Sequence, residues 1–167
     1  MSIEGARMAE VWLVTGADGA LGHSIVAAAA AAGAVVVAAA RHPESVYDLV
    51  GTFPRQVEAL GLTPERADDA VAGILGHHRR LDVLVNTTGD RAIEDAVLTH
   101  FSTQRSGAIV RPDRDAEPWA EADAIVAAHT EAGPRPKELQ PLGSRTVVRR
   151  SVDTCGRRGS TASRRSA

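Results

Sequence analysis

Aromatic residues make up only 3% of this 167-residue chain: two Trp, two Phe and one Tyr. With so few large rings, a core drawn from 44% hydrophobic residues must be built from Ala, Val, Leu and Ile, and each Ala contributes little buried area. Cysteine is confined to Cys155, which excludes an internal disulfide and fits a reducing compartment. Tyrosine and lysine occur once each, as Tyr47 and Lys137. No apolar run is long enough for a bilayer: the longest, Ile25 to Ala40, is alanine-rich and divided by Gly33. The first ten residues are charged and hold no signal-peptide core, so a cytoplasmic protein without a membrane partner is expected. The net charge of −2 hides an asymmetry, because residues 145–167 hold seven Arg against the single carboxylate of Asp153. The Ser/Thr/Gly/Arg-rich stretch 151–167 is expected to be a disordered tail on a domain spanning 1–150. Without interleaved aromatics it carries no specific signal for nucleic acid.

What is present begins with Val11 to Gly22, an apolar run that ends in glycines at 16, 19 and 22 with a helical segment directly behind. A buried strand brings the chain to a tight turn, where Gly16 permits a backbone that a side chain would block. Gly19 and Gly22 let the backbone approach a ligand and the helix approach the sheet. The helix, expected from Ala20, points its free N–H groups and the positive end of its dipole at the turn, so an anion such as a dinucleotide pyrophosphate is the natural guest. Gly33 then stops the helix, and Val35-Val36-Val37 forms the core of a second buried strand. Strand, glycine turn, helix and strand make one right-handed βαβ unit with parallel strands.

These residues resemble the short-chain dehydrogenase/reductase family. Thr15-Gly16-Ala17-Asp18-Gly19-Ala20-Leu21-Gly22 is similar to its Thr-Gly-x-x-x-Gly-x-Gly turn, with Ala20 at the middle glycine. The spacing of Gly16, Gly19 and Gly22 also matches the family's extended members, which leaves the subtype open. Leu81 to Gly89, containing Asn86-Thr87-Thr88-Gly89, resembles the strand and Asn-Asn-Ala-Gly segment beside the cofactor, and Asn86 and Gly89 keep their places. The resemblance implies a Rossmann-like, doubly wound parallel sheet of order 3-2-1-4-5 in a three-layer α/β/α domain. It implies a nicotinamide dinucleotide held by Gly16, Ala17, Asp18, Gly19, Leu21, Gly22, Asn86 and Gly89. The second strand ends Ala39-Ala40-Arg41, with Arg41 where an acidic residue would select NAD. Its planar donor fork suits a 2′-phosphate, so NADP is expected over NAD.

The family's Tyr-x-x-x-Lys pair and orienting serine have no counterpart, since Tyr47 and Lys137 lie ninety positions apart and Tyr47 directly follows the second strand. Ser102 and Ser106 precede the fifth strand and read as polar helix-end residues. No catalytic residue is assigned, and the chain resembles a shortened member with its middle removed. Three outcomes fit: an oxidoreductase of impaired turnover, a non-catalytic NADP-binding or interaction module able to form homo-oligomers, or a non-functional gene product. The small-molecule substrate is not named by any motif. Further elements are expected as a short helix from Pro43 to Val50, a third strand at Gln56 to Leu60, a helix capped by Thr63 and running to about His78, a fourth strand at Leu81 to Asn86, a helix over 91–104 and a strand stub at Ala108 to Val110. Asp115 is expected to cap a last helix that stops at Gly133-Pro134. His77 and His78 point about 100° apart on a helix with no third ligand in the local sequence, so no metal site is assigned.

Overall fold

The structure, a computed structural model, describes residues 8–130 and 146–149. Its centre is one sheet in which β1 (Val11–Thr15), β2 (Val35–Ala40), β3 (Val57–Gly61), β4 (Val83–Asn86) and β5 (Ala108–Arg111) run parallel in the order β3-β2-β1-β4-β5. The expected 3-2-1-4-5 order is therefore present. A sixth strand, β6 (Thr146–Arg149), joins antiparallel to β5, pairing Arg111 with Thr146 and Ala108 with Arg149; the sequence reading did not include it.

Period-two alternation places Trp12 and Val14 on one face of β1 and Val11 and Leu13 on the other. The first face is covered by α1 (Ala20–Ala31) and α5 (Pro118–Thr130), through Ile25, Val26, Ala29, Ala122 and Ile125. The second is covered by α3 (Ala67–His78) and α4 (Arg91–Gln104), through Val71, Ile74, Ile93, Val97 and Phe101. Small α1 residues such as Ala29 and Ala30 lie within the core, where their size allows the helix to lie close to the sheet. The scarce aromatics are divided: Trp12 and Phe101 are buried, whereas Tyr47 and Trp119 are exposed, and Trp12 meets His129 edge-on with ring centres 5.1 Å apart.

Gly33 ends the first helical unit at φ +95°, as its position predicts. The expected helix at Pro43 to Val50 is a 3-10 turn, Pro43–Val46, followed by α2 (Tyr47–Thr52). Thr63 precedes a 3-10 turn, Pro64–Arg66, and α3 starts only at Ala67. Two caps differ from expectation: Thr63 makes no side-chain cap bond at its 3-10 turn, and Asp115 does not cap α5. Asp115 donates its N–H to Asp113 Oδ1 at 2.9 Å, and α5 begins at Pro118, with Glu117 accepting the first helical N–H, from Glu121. Proline favours the first helical position because its missing donor and fixed φ cost nothing there, and this overrides the local Asp signal. The helix stop at Gly133-Pro134, Lys137, Cys155 and the tail 151–167 lie outside the described residues.

Candidate functional site

The order of the sheet reverses between β1 and β4, and in open α/β sheets the crevice at such a point, outside the carboxyl ends of the strands, is where ligands bind. A cavity of about 230 Å³ opens there, lined by residues that include Gly16, Asp18, Arg41, Leu62, Thr88 and Asp90. Its floor is the β1–α1 turn. Gly16 adopts φ +61°, and a Cβ there would stand 2.3 Å from Thr87 Oγ1, so turn conformation and tertiary crowding both demand glycine. At Gly22 a Cβ would stand 2.2 Å from the Gly16 carbonyl oxygen, a backbone atom that cannot move aside. Gly22 thus sets how closely α1 approaches the turn. Gly19 differs: it is the N-cap of α1, and its added Cβ would lie 3.4 Å from the Gly16 carbonyl oxygen.

The start of α1 is open to an acceptor from outside. No side chain caps it and its first turn contains no acidic residue, while the first N–H groups of any helix lack an intrahelical partner. Ala17 is buried and donates its N–H to the Ala39 carbonyl at 3.0 Å, which ties the turn to β2. Leu21 packs against the core from a half-buried position. His23, one turn into the helix, places Nε2 2.7 Å from Asp48 Oδ2.

Across the crevice the β4–α4 turn is built around Asn86, which is buried. Its Oδ1 accepts from Thr15 Oγ1 at 3.1 Å, Thr88 Oγ1 at 3.0 Å and the Gly89 N–H at 3.0 Å. Its Nδ2 donates to the Asp90 carbonyl at 3.0 Å and to Glu94 Oε1 at 2.8 Å. Asn86 therefore holds the turn and presents no spare polar atom to the cavity. Thr87 adds a bond from its hydroxyl to the Thr15 carbonyl at 2.6 Å, joining the two turns. Glu94, also buried, takes a two-pronged contact from Arg111 of β5. The Arg111 guanidinium holds the Glu94 carboxyl below its ordinary value against the opposing effect of burial, with Asn86 assisting. Gly89 sits at φ +75°. Asp90 caps α4, accepting from the Ala92 N–H at 2.9 Å.

Arg41 lies exposed at the carboxyl end of β2 and lines the cavity, with no carboxylate at that strand end. Glu65 is close enough that the Arg41 charge adds to its lowered pKa, after its own backbone N–H and the Thr63 hydroxyl. Of the sequence-assigned residues, Gly16, Asp18 and Arg41 line the cavity, whereas Ala17, Gly22 and Asn86 shape it from behind. Leu62, Asp90 and Ile93 also line it without having been assigned. Leu62 directly follows β3, and in a parallel sheet each strand's carboxyl end opens on the same side, which is the signal that points to it.

The sequence profile of the short chain dehydrogenase family matches residues 10–111, and with them the whole β1–α1 turn and the Asn86 turn. The chain belongs to this family. Among solved structures, a short-chain dehydrogenase from Streptomyces avermitilis is 28% identical with a TM-score of 0.57, covering 76% of this chain and 60% of its own. A metagenomic short-chain oxidoreductase in complex with NADP shares 19% identity, TM-score 0.55, over 73% of each chain. An NAD+-bound xylitol dehydrogenase shares 17%, TM-score 0.57, over 73% of this chain and 62% of its own. The chain thus spans 60% of the length of the Streptomyces short-chain dehydrogenase. Curated proteins yield no match. Tyr47 is exposed on α2, and Lys137, ninety positions later in sequence, lies outside the described residues. Ser102 donates to the Leu98 carbonyl within α4, and Ser106 accepts from Gln104. No helix among the described residues is long and apolar enough to cross a membrane.

Proposed function

We propose that this short-chain dehydrogenase family member binds NADP(H) at the β1–α1 turn and lacks, within these 167 residues, its own tyrosine–lysine acid/base pair. The observation that carries the reading is the pairing of a helix start left uncapped with two glycines, Gly16 and Gly22, that admit no side chain. A pyrophosphate over this turn would accept from the first N–H groups of α1. Arg41 would meet a 2′-phosphate, and a charge-assisted bond of about 1.5–3 kcal/mol favours NADP(H) over NAD(H) by about ten- to a hundredfold. Relatives of this fold bind either form, as the NADP-bound oxidoreductase and the NAD+-bound xylitol dehydrogenase show for themselves, so Arg41 is the discriminating residue. When bound, the nicotinamide would supply or accept a hydride for a carbonyl or alcohol substrate.

The missing pair favours a second reading, a cofactor-binding or interaction module without turnover, assembling into homo-oligomers. A cytoplasmic location, a domain over 1–150 and a separate tail over 151–167 belong to the same proposal. The test is a fluorescence titration with NADPH and NADH, repeated on Arg41→Ala. Saturable binding that prefers NADPH, with the preference erased in the variant, supports the reading. No saturation by either nucleotide up to about millimolar, near −4 kcal/mol, overturns it and leaves a non-functional product. NADPH oxidation on a carbonyl panel then separates enzyme from module, because loss of general acid/base groups typically removes a factor of about 10²–10⁴.

A further inference from the structure

Glu58 precedes the adjacent His77 and His78 by about twenty positions in sequence, yet the ligand atoms of all three fall within 4.8 Å of one another. His77 and His78 occupy the last turn of α3, and Glu58 stands on the edge strand β3. His78 Nε2 is 2.6 Å from one Glu58 carboxylate oxygen and His77 Nε2 is 3.4 Å from the other. Successive helical residues normally diverge, but here the two rings meet edge-on, centres 4.7 Å apart at 84°, and both Nε2 atoms converge on the same carboxylate. The turn that carries them is fixed: Arg79 closes the helix in the left-handed conformation at φ +66°, with its N–H on the Leu75 carbonyl. His78 is half-buried, while His77 and Glu58 are exposed, so a hydrated ion can reach the cluster.

We propose that these three side chains bind a divalent transition-metal ion of the zinc class. Two neutral imidazole nitrogens and a carboxylate oxygen form a mixed donor set that zinc accepts at about 2.0–2.2 Å, with water completing the shell. The carboxylate charge attracts the cation, and the Glu58–His78 hydrogen bond gives way to two metal bonds. None of the three residues lines the nucleotide cavity. Crossover helices return the chain to the amino ends of the strands, so the end of α3 lies away from the carboxyl-end crevice. The ion would clamp the end of α3 to the edge strand, and the site stands independently of nucleotide binding.

The full chain is titrated with ZnCl2 by calorimetry, and with CoCl2 while visible absorption is followed. One equivalent of Zn2+, a raised Tm and Co2+ bands of low coordination number are expected. Glu58→Gln and His77→Ala, both at exposed positions, should each weaken binding by at least about tenfold. His42→Ala and His100→Ala should leave it unchanged. The proposal is overturned if wild type fails to saturate below about millimolar, or if Glu58→Gln binds as tightly as wild type. The cluster is then an ion pair only.

Discussion

The two turns flanking the crevice start from similar material, a buried strand running into a helix, and handle their helix starts in opposite ways. The β4–α4 turn satisfies itself. Asp90 caps α4, Asn86 gathers Thr15, Thr88, Gly89 and Glu94, and Arg111 neutralises Glu94. The β1–α1 turn leaves its helix start uncapped and spends glycines where side chains would crowd the backbone. A self-satisfied turn is a scaffold, and an unsatisfied one beside a cavity is a receptor. Thr15 and Thr87 couple them, since the Thr87 hydroxyl bonds the carbonyl just before Gly16.

The largest effect is expected where the receptor depends on close approach. Gly22→Ala forces a Cβ into the Gly16 backbone, and overpacking of this kind costs about 1–3 kcal/mol; thermal melts should show a Tm several degrees lower, and NADPH binding should be lost. Next comes the scaffold. Glu94→Gln removes charge-assisted bonds to Arg111 and Asn86 worth about 1.5–3 kcal/mol, read as a lower urea midpoint at neutral pH, with nucleotide preference unaltered.

The same variant has a pH signature. The folded Glu94 pKa lies below its ordinary 4.5, so its ionised form is favoured by folding. The stability it contributes is complete above 4.5 and is lost as pH falls through the lowered value. Wild type and Glu94→Gln should therefore converge in stability in acid, and a constant gap across the range would show that the charge is not the source. Smaller again is Arg41→Ala, which should erase a preference of about ten- to a hundredfold for NADPH without moving the Tm. The least effect on the fold is expected at Gly19→Ala: its Cβ meets only the Gly16 carbonyl oxygen, at 3.4 Å, so stability should stay within about 0.5 kcal/mol. Weaker nucleotide binding in that variant would separate ligand approach from fold stability.

Local pattern made part of this legible. Continuous apolar runs marked β1 and β2, glycine spacing marked the receptor turn, and the helix expected over 91–104 is α4 at its observed span. What escaped was set by partners distant in the chain. β6 exists through pairing with β5, and nothing in Thr146 to Arg149 announces that partner. Asn86 was legible through its match to the family's turn segment, but its role as the hub of the scaffold depends on Thr15 and Glu94 from other elements. Glu58 joins His77 and His78 only because the edge strand lies beside the end of α3. Asp115 misled because a cap signal is local, while Pro118 had the stronger claim to the helix start.

The most direct test of the receptor and scaffold assignment is amide NMR of the full chain during addition of NADPH. Saturable shifts that are largest at Gly16 to Gly22 and at Arg41, with smaller changes from Asn86 to Glu94, are the predicted result. Saturable shifts centred on the Asn86 turn with the Gly16 turn unmoved, or none up to about millimolar nucleotide, would contradict it.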